Sequence, residues 1–327
     1  MLADKLLCHD ILPMSSGAQY RGKYGNMTIR ARRARSLLVI GGVHLDGVAE
    51  YDPTHSALLE KPATFVEFSV GGTAFNVAAN LASADIDVTL FTWLNDASPF
   101  GSVIMSAISA YRIQSEIVLD SEFQQGGYLA QLSGGVLVLA TSCSGLDQAK
   151  IPRARLSAAI SNAKAVAIDT NLSVQHIRHI RSACRRLNRP LLVNCSSETK
   201  SQRIRAPLEG VCYQLVTMNE SEAVAFFGAE YETRLDVRAI CAAASANNVV
   251  VTRSGLGFNV YSEGINGCFL APRLSKIISE LGAGDALFSA CCAHFLAHDS
   301  FDWAKCYNDI RRFVVPVLQA RGATVAP

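Results

Sequence analysis

The chain has 327 residues, of which half are apolar and 18% are charged, so it can bury a sizeable core and is too apolar to be disordered. Its 30 basic and 28 acidic residues nearly balance, which gives no reason to expect nucleic acid or an anionic membrane as a partner. No apolar run reaches the roughly 18 residues that a membrane-spanning helix needs. The scattered cysteines, with no Cys-x-x-Cys pair, are typical of free thiols in a reducing cytoplasm, which is where we expect the protein.

The first 35 residues differ from the rest of the chain. They are rich in basic side chains, poor in apolar ones and without periodicity. They also lack the apolar centre of a secretory signal. We therefore predict a disordered basic tail over residues 1–35 and a single folded domain over residues 36–327.

From residue 36 onward, short apolar runs alternate with helix-like stretches. The predicted strands are Leu37–Val43, Val88–Trp93, Ala165–Ile168, Leu191–Val193, Leu215–Met218 and Val249–Thr252. The predicted helices are Ala74–Ala84, Val103–Tyr111, Ser173–Leu187, Glu220–Phe227 and Leu235–Ala244. This alternation predicts βαβ units, and hence a parallel sheet with helices on both faces.

Two regions, residues 45–69 and 126–140, interrupt the alternation. In the second, Gly134 and Gly135 separate two apolar runs, as the turn of a β-hairpin would. We predict that both regions form small β elements that project from the main sheet as a lid. Tyr128 in the second region either faces a bound molecule or is a packed aromatic side chain.

The most informative segment is Gly282-Ala283-Gly284-Asp285, which opens an apolar helix. Backbone N–H groups in the first turn of a helix have no partner within it, and the helix dipole adds positive charge there. Glycines leave that end open to a phosphate. A carboxylate in the same turn can take a proton from a hydroxyl, so the segment suits phosphoryl transfer. It also fits a structural helix cap, with Asp285 as an N-terminal charge.

A double glycine, Gly71-Gly72, precedes another helix, and Asn76 follows its second member after four residues. Glycines let a polyhydroxylated ring lie against the backbone, and an asparagine offers both a donor and an acceptor to neighbouring hydroxyls. The same residues also fit a strand-to-helix turn capped by Asn76. His44 and Asp46 follow the first strand without the further ligands of a metal site, and His44 also fits a half-buried histidine with satisfied hydrogen bonds.

These motifs resemble the PfkB family of carbohydrate kinases, from about residue 36 to the end of the chain. The turn at 282–285 is similar to the C-terminal signature of that family, and residues 71–82 are similar to its N-terminal signature. Residues 40–46 and 169–172 are similar to segments of pseudouridine-kinase-like members. The resemblance implies the ribokinase-like fold, a three-layer αβα sandwich with a mainly parallel central sheet and a small β lid.

The resemblance also assigns roles to individual residues. It implies that Asp285 is the catalytic base and that the amides of Gly282, Ala283 and Gly284 form an anion hole. The implied acceptor site contains Asp46, Gly71, Gly72 and Asn76, and we add His44 and Tyr128 as candidate acceptor contacts.

On the nucleotide side, Asn219 and Glu222 match the Asn-x-x-Glu motif of the family, in which the glutamate organises Mg²⁺ and its waters. The same pair can also form a helix capping box. The resemblance places ATP along the C-terminal half, with cofactor-binding residues near successive strand ends: Asn194, Asn219, Thr252, Gly255 and Gly257. No P-loop motif occurs, and no Gly-x-Gly-x-x-Gly follows the first strand, which argues against a P-loop enzyme and a dehydrogenase.

Asn194 lies at the end of a predicted strand where many relatives carry an aspartate. The chain also departs from the family pattern in two longer segments. Ser279 and Glu280 stand where most relatives carry Asp-Thr, which puts in question any monovalent-cation site that uses the missing aspartate. The element Asn95–Gly101 is one residue longer than its counterpart in relatives, which predicts an altered acceptor preference.

We therefore expect an ATP- and Mg²⁺-dependent kinase that phosphorylates a hydroxyl of a nucleoside or sugar, with pseudouridine as the leading acceptor. The alternatives are a ribose- or fructose-type sugar kinase, another nucleoside kinase, and a catalytically impaired kinase-like binding or regulatory protein. The expected partner is a small molecule, with no nucleic acid and no membrane, and the lid is a candidate homodimer interface.

Overall fold

A computed structural model describes residues 36–52, 54, 62–133, 136–205, 212–320 and 323–324. The predicted basic tail and the predicted Gly134-Gly135 turn lie outside the described residues. Every cysteine within these ranges is a free thiol. None of the helices in this part of the chain is long and apolar enough to cross a membrane.

The described residues form strands and helices that alternate along most of the chain. The strands are β1 (Leu37–Ile40), β2 (His44–Tyr51), β3 (Ala63–Gly71), β4 (Val88–Leu94), β5 (Gln114–Leu119), β6 (Gly126–Ser133), β7 (Val136–Cys143), β8 (Ala165–Asp169), β9 (Leu191–Asn194), β10 (Leu215–Asn219), β11 (Asn248–Thr252), β12 (Phe258–Ser262) and β13 (Ile265–Phe269). The helices are α1 (Thr73–Ser83), α2 (Pro99–Ala110), α3 (Arg153–Asn162), α4 (Val174–Arg186), α5 (Glu198–Ser201), α6 (Glu220–Phe227), α7 (Tyr231–Arg234), α8 (Val237–Ala244), α9 (Ala283–His298) and α10 (Trp303–Leu318).

The large sheet has the strand order β13-β12-β11-β10-β9-β8-β1-β4-β5. From β11 to β5 all neighbours are parallel, whereas β12 and β13 add an antiparallel edge. The prediction of a mainly parallel sheet is therefore confirmed. Since parallel strands share one direction, their carboxyl ends meet at one edge of the sheet, where ligands of open α/β folds bind.

The core lies on both faces of this sheet. In β1, Leu37 and Val39 pack into one apolar cluster with α1, α2, α9 and α10, whereas Leu38 and Ile40 pack into a second cluster with α3, α4, α6 and α8. Successive strand side chains point to opposite faces, so the parallel strands contribute to both clusters. This arrangement is the predicted three-layer αβα sandwich.

A small second sheet has the order β3-β2-β6-β7. Strand β2 pairs antiparallel with β3 and parallel with β6, and β6 pairs antiparallel with β7. The described parts of the two predicted lid regions thus form one sheet. Its closure as a lid, and the division of the chain into a tail and a single domain, stay predictions.

Several predicted boundaries were wrong. The first strand ends at Ile40, because residues 41–43 cross from the large sheet to the small one. Helix α2 begins at Pro99, because the Ser98 side chain accepts a hydrogen bond from the Phe100 amide. Helix α8 begins at Val237, since Asp236 caps it. The elements that the sequence pattern did not predict are β5, β12, β13, α3, α5, α7 and α10.

Candidate active site

A cavity of about 180 Å³ lies where the carboxyl ends of the parallel strands meet the N-termini of two helices, α1 and α9. It is lined by Thr73, Asn194, Cys195, Ser196, Thr217, Met218, Asn219, Glu222, Thr252, Gly282, Gly284 and Asp285. Residues predicted as base, anion hole, nucleotide site and metal ligand thus meet in one place.

Asp285 occupies the first turn of α9, and both of its carboxylate oxygens have partners. The Asn76 side-chain amide donates to Oδ2 at 2.8 Å, and the Asn194 amide donates to Oδ1 at 2.9 Å. Shielding from water raises the pKa of Asp285 to about 7; the two amides oppose this rise, and the charges of Asp169 and Glu222 add to it. A carboxylate with a pKa in this range suits proton transfer near neutral pH.

The N-terminus of α9 is open to a ligand. Its N-cap, Gly282, has φ 77° and offers no side chain to the free amides. This conformation favours glycine, and a Cβ there would lie 2.3 Å from the Ala323 carbonyl oxygen. The Ala283 amide donates to the Glu280 carbonyl at 3.2 Å, so of the predicted anion hole the Gly282 and Gly284 amides lack backbone partners among the described residues. The space beside the Gly284 Cα is empty of protein atoms.

Asn76 was predicted either as an acceptor ligand or as a helix cap, and the second interpretation is wrong. The N-cap of α1 is Gly72, which has φ 97°. Asn76 lies one turn further along, with its amide group on Asp285. Its Oδ1 is buried without a hydrogen-bond partner in the described part of the chain. Such an acceptor is costly to bury unpaired, and its oxygen is available to a donor from a ligand.

Asp46 and Tyr128 lie on the small sheet and do not line the cavity. They are directly opposite each other in the β2–β6 register, so their side chains share one face. Burial raises the pKa of Asp46 to about 7, and burial together with the Asp46 charge raises the pKa of Tyr128. The position of Gly71 explains its residue type, because a Cβ there would lie 2.0 Å from Asp46 Oδ2. Asp46 Oδ1 is buried and has no partner among the described residues.

His44 is buried, with 6% of its surface exposed, and it packs against Gly42 and Gly126. Burial, assisted by the positive charge of Lys200, lowers its pKa to about 4, so the ring is neutral near pH 7. Its Nε2 has no partner in the described ranges. The interpretation as a histidine with satisfied hydrogen bonds is therefore wrong.

The predicted nucleotide residues lie at the ends of β9, β10 and β11. Asn219 and Glu222 form the predicted capping box: the Glu222 amide donates to Asn219 Oδ1 at 2.8 Å, and the Asn219 amide donates to Glu222 Oε2 at 2.9 Å. Burial raises the pKa of Glu222 to about 6. Thr252 lines the cavity, whereas Gly255 and Gly257 lie in the connection from β11 to β12 and do not line it.

Sequence reasoning assigned no role to Thr217, which lines the cavity and donates a hydrogen bond of 2.7 Å to Asn194 Oδ1. It also left Asp169 without a role. The buried Asp169 carboxylate accepts hydrogen bonds from the amides of Gly42, at 3.2 Å, and Asn171, at 2.8 Å, and so joins two strand-end loops. A polar residue within or directly after an apolar strand run was the available signal for both.

The two longer departures from the family pattern form ordinary turns. Ser279 Oγ accepts a hydrogen bond from the Leu281 amide at 3.1 Å just before α9. Asn95 Oδ1 accepts from the amides of Ala97 and Ser98 at the start of α2. The Ser279 hydroxyl therefore accepts a hydrogen bond within the loop before α9, at a position where most relatives carry an aspartate.

Known proteins resemble this chain over most of its length. The guanosine-inosine kinase of Exiguobacterium acetylicum is 26% identical over 275 residues, which cover 82% of this chain and 90% of the relative. The structure of Arabidopsis thaliana ribokinase, complexed with ribose and ATP, matches with a TM-score of 0.73 and 14% identity, covering 89% of this chain and 96% of that one. Adenosine kinase from Sinorhizobium meliloti matches with a TM-score of 0.71 and 16% identity, over 89% and 96% of the two chains. The structural matches establish the ribokinase-like fold.

A sequence model of the pfkB family of carbohydrate kinases matches residues 36–306. The matched region contains both sheets and every residue that lines the cavity. The resemblance read from the motifs is thereby confirmed. This chain belongs to the pfkB family of carbohydrate kinases, which are phosphotransferases that act on a hydroxyl of a sugar or a nucleoside.

Proposed function

We propose that this protein transfers the γ-phosphoryl group of ATP to a hydroxyl of a nucleoside, with Asp285 as the catalytic base. One observation carries the proposal: the Asp285 carboxylate is held by two amides in a cavity that also contains the uncapped N-terminus of α9. The arrangement brings a proton acceptor close to the partial positive charge at the N-terminus of α9.

The transition state of phosphoryl transfer carries its charge mainly on the phosphoryl oxygens. The amides of Gly282 and Gly284 stabilise that charge at the open end of α9. Asp285 accepts the hydroxyl proton as the new bond to phosphorus forms and the bond to the leaving ADP breaks. No group moves far during this step, so the rate depends on how well the chain positions the reactants.

The acceptor binds between the large sheet and the small one. Asp46 Oδ1 and Asn76 Oδ1 are acceptors without partners among the described residues, and they suit neighbouring hydroxyl groups of a ribose. His44 and Tyr128 complete this side, and the neutral His44 Nε2 can share one hydrogen bond with the acceptor. Closure of the small sheet over the acceptor excludes water and limits hydrolysis of ATP.

The cavity residues fit a nucleotide with Mg²⁺. In the part of the chain that the structure describes, no three His, Cys, Asp or Glu side chains cluster as a metal site would require. Two carboxylates, those of Glu222 and Asp285, line the cavity. With Asp285 as the proposed base, Glu222 beside Asn219 is left for Mg²⁺, which prefers one or two carboxylates with waters and phosphate oxygens. Bound there, Mg²⁺ would neutralise charge on the phosphates. Asn194, Asn219 and Thr252 remain the proposed nucleotide contacts in the cavity, with Gly255 and Gly257 beside it.

The acceptor class rests on two different arguments. The relative named guanosine-inosine kinase favours a purine nucleoside, whereas the segments at residues 40–46 and 169–172 favour pseudouridine. Both are ribonucleosides, so a nucleoside is preferred over free ribose or fructose. The absence of Asp-Thr before α9 motivates the competing candidate, a kinase-like binding protein.

The test incubates the purified protein with Mg-ATP and, separately, guanosine, inosine, adenosine, pseudouridine, ribose and fructose. Release of ADP and the mass of the product are measured, with Asp285→Asn as the control. We expect phosphorylation of at least one nucleoside at a higher kcat/KM than of either sugar. Calorimetric binding of nucleosides without any phosphorylated product would instead establish the binding protein.

The outer face of the small sheet is a proposed dimer interface. A Cβ at position 47 would lie 2.8 Å from a Leu129 methyl and 3.1 Å from the Phe68 ring, so both side chains cover the face of β2 opposite to Asp46. Phe68 is 64% exposed and Leu129 is 61% exposed. The described strands place no charged side chain on this face, so a second copy of the same apolar face suits it best.

Sedimentation of the wild type and of Phe68→Ser tests this interface. We expect a dimer for the wild type and a monomer for the variant, with the free energy of unfolding of the subunit changed by less than about 0.5 kcal/mol, because the side chain is exposed within one chain. Leu119→Ser, which alters another exposed leucine at the end of β5, should leave the dimer intact. A monomeric wild type would contradict the proposal.

A further inference from the structure

Three polar side chains from separate elements form a continuous chain of hydrogen bonds that ends on Asp285. Thr217 of β10 lies directly opposite Asn194 of β9 in the strand register, and both are buried. The Thr217 hydroxyl donates to Asn194 Oδ1 at 2.7 Å, and Asn194 Nδ2 donates to Asp285 Oδ1 at 2.9 Å. The order of donors and acceptors is therefore continuous from hydroxyl to carboxylate.

This order matters because an asparagine amide can be turned by 180° with little change in shape. In the reversed orientation the Asn194 oxygen would face the Asp285 carboxylate, and two acceptors would repel each other. The Thr217 hydroxyl favours the productive orientation, because it then donates to the Asn194 oxygen. In the reversed orientation it would have to accept from the Asn194 NH₂ group, and its own proton would need another acceptor. Its other neighbour, the Val193 carbonyl, is farther away at 3.4 Å.

The second amide on Asp285 is not held in this way. Asn76 Nδ2 donates to Asp285 Oδ2, but Asn76 Oδ1 has no partner in the described part of the chain. Both amides hold the carboxylate, but among the residues that the structure describes only the Asn194 amide is itself held by a hydrogen bond to its oxygen.

We infer that Thr217 is a positioning residue for catalysis: through Asn194 it fixes the Asp285 carboxylate in the orientation that accepts the hydroxyl proton. The inference rests on the proposed function, in which Asp285 is the base. Thr217 itself touches neither the acceptor hydroxyl nor the proton.

The test compares Thr217→Val, which replaces the hydroxyl with a methyl group, with Thr217→Ser, which keeps the hydroxyl. We expect kcat to fall about tenfold in T217V, the loss that corresponds to one hydrogen bond to a group that must be oriented. The KM for the acceptor should change less than about twofold, and T217S should restore most of kcat. Thermal melting checks the fold, and Thr217→Ala gives a second hydroxyl deletion in case the valine variant melts early.

A double-mutant cycle then shows whether the effect passes through Asp285. In the Asp285→Asn background, T217V should lower the residual rate no further. An equal loss in both backgrounds, an equal loss in T217V and T217S, or wild-type turnover in T217V would each overturn the inference while leaving the proposed base in place. Full turnover of D285N alone would overturn the proposed function first, so the two failures are distinguishable.

Discussion

Two partly buried carboxylates, Asp285 at the start of α9 and Asp46 on the small sheet, differ in how the protein satisfies them with hydrogen bonds. Burial raises the pKa of both Asp285 and Asp46 to about 7. Both oxygens of Asp285 accept hydrogen bonds from side-chain amides, whereas Asp46 Oδ1 has no partner among the described residues.

This difference in hydrogen bonding matches different proposed roles for Asp285 and Asp46. In the proposed mechanism a base must be oriented before the reaction, and the two amides on Asp285 hold it at the start of α9. A binding group needs free acceptor capacity, because the ligand supplies the missing donor. The free Oδ1 of Asp46 matches the proposed role of that residue as an acceptor ligand.

The largest expected effect follows from removal of the base. Asp285→Asn should lower kcat roughly 10²- to 10⁴-fold, because only the proton acceptor is lost, while ATP binding stays close to wild type. Steady-state kinetics and ATP titration measure the two quantities. Asp302→Asn, at the N-cap of α10, is the matched control for an aspartate at a helix start. Unchanged turnover in D285N would remove Asp285 from the mechanism.

A smaller effect is expected at the other carboxylate. Asp46→Asn should lower kcat/KM for the acceptor about 10- to 100-fold, because a charge-assisted hydrogen bond is worth roughly 1.5–3 kcal/mol. Most of this loss should appear as a higher KM for the acceptor, with the KM for ATP unchanged. Glu67→Gln, an exposed carboxylate on the same sheet, serves as the control. A loss confined to kcat would show that Asp46 does not act by binding the acceptor.

The pH dependence should give the smallest effect. Because protonated Asp285 cannot accept a proton, kcat with saturating ATP should be constant above about pH 7 and should fall up to about tenfold for each pH unit below it. In kcat/KM for the acceptor the decline should be steeper, since Asp46 also titrates near pH 7, and D46N should remove the additional steepness. A flat profile between pH 5.5 and 8 would contradict both assignments.

Much of the architecture could be predicted from local pattern. The apolar runs at β1, β4, β8, β9, β10 and β11 are short, continuous and separated by helical stretches, which is the pattern of a parallel sheet buried on both faces. The helix α10 was not predicted, and Pro316 within it resembles a helix breaker. The antiparallel edge strands β12 and β13 have no helix between them and so lie outside the βαβ pattern.

The residues of the candidate site also fall into two groups, those that sequence motifs predict and those that they do not. Gly282, Gly284, Asp285, Asp46 and Asn76 could be found from motifs, because each belongs to or closely follows a pair of nearby glycines. Thr217 could not be found in this way. It is one polar residue in an apolar strand, and its role depends on a register partner 23 residues away.

The sequence by itself determined the alternation of strands and helices, the open start of α9 and the residue types at the strand ends, because these follow from periodicity and from glycines near single helices. Only the tertiary structure decided that both oxygens of Asp285 accept hydrogen bonds and that Oδ1 of Asp46 has no partner among the described residues. Asp285 meets Asn194 across 91 positions of the chain and Asn76 across 209. No local pattern encodes such contacts, since they arise only when distant strands and helices pack around one core.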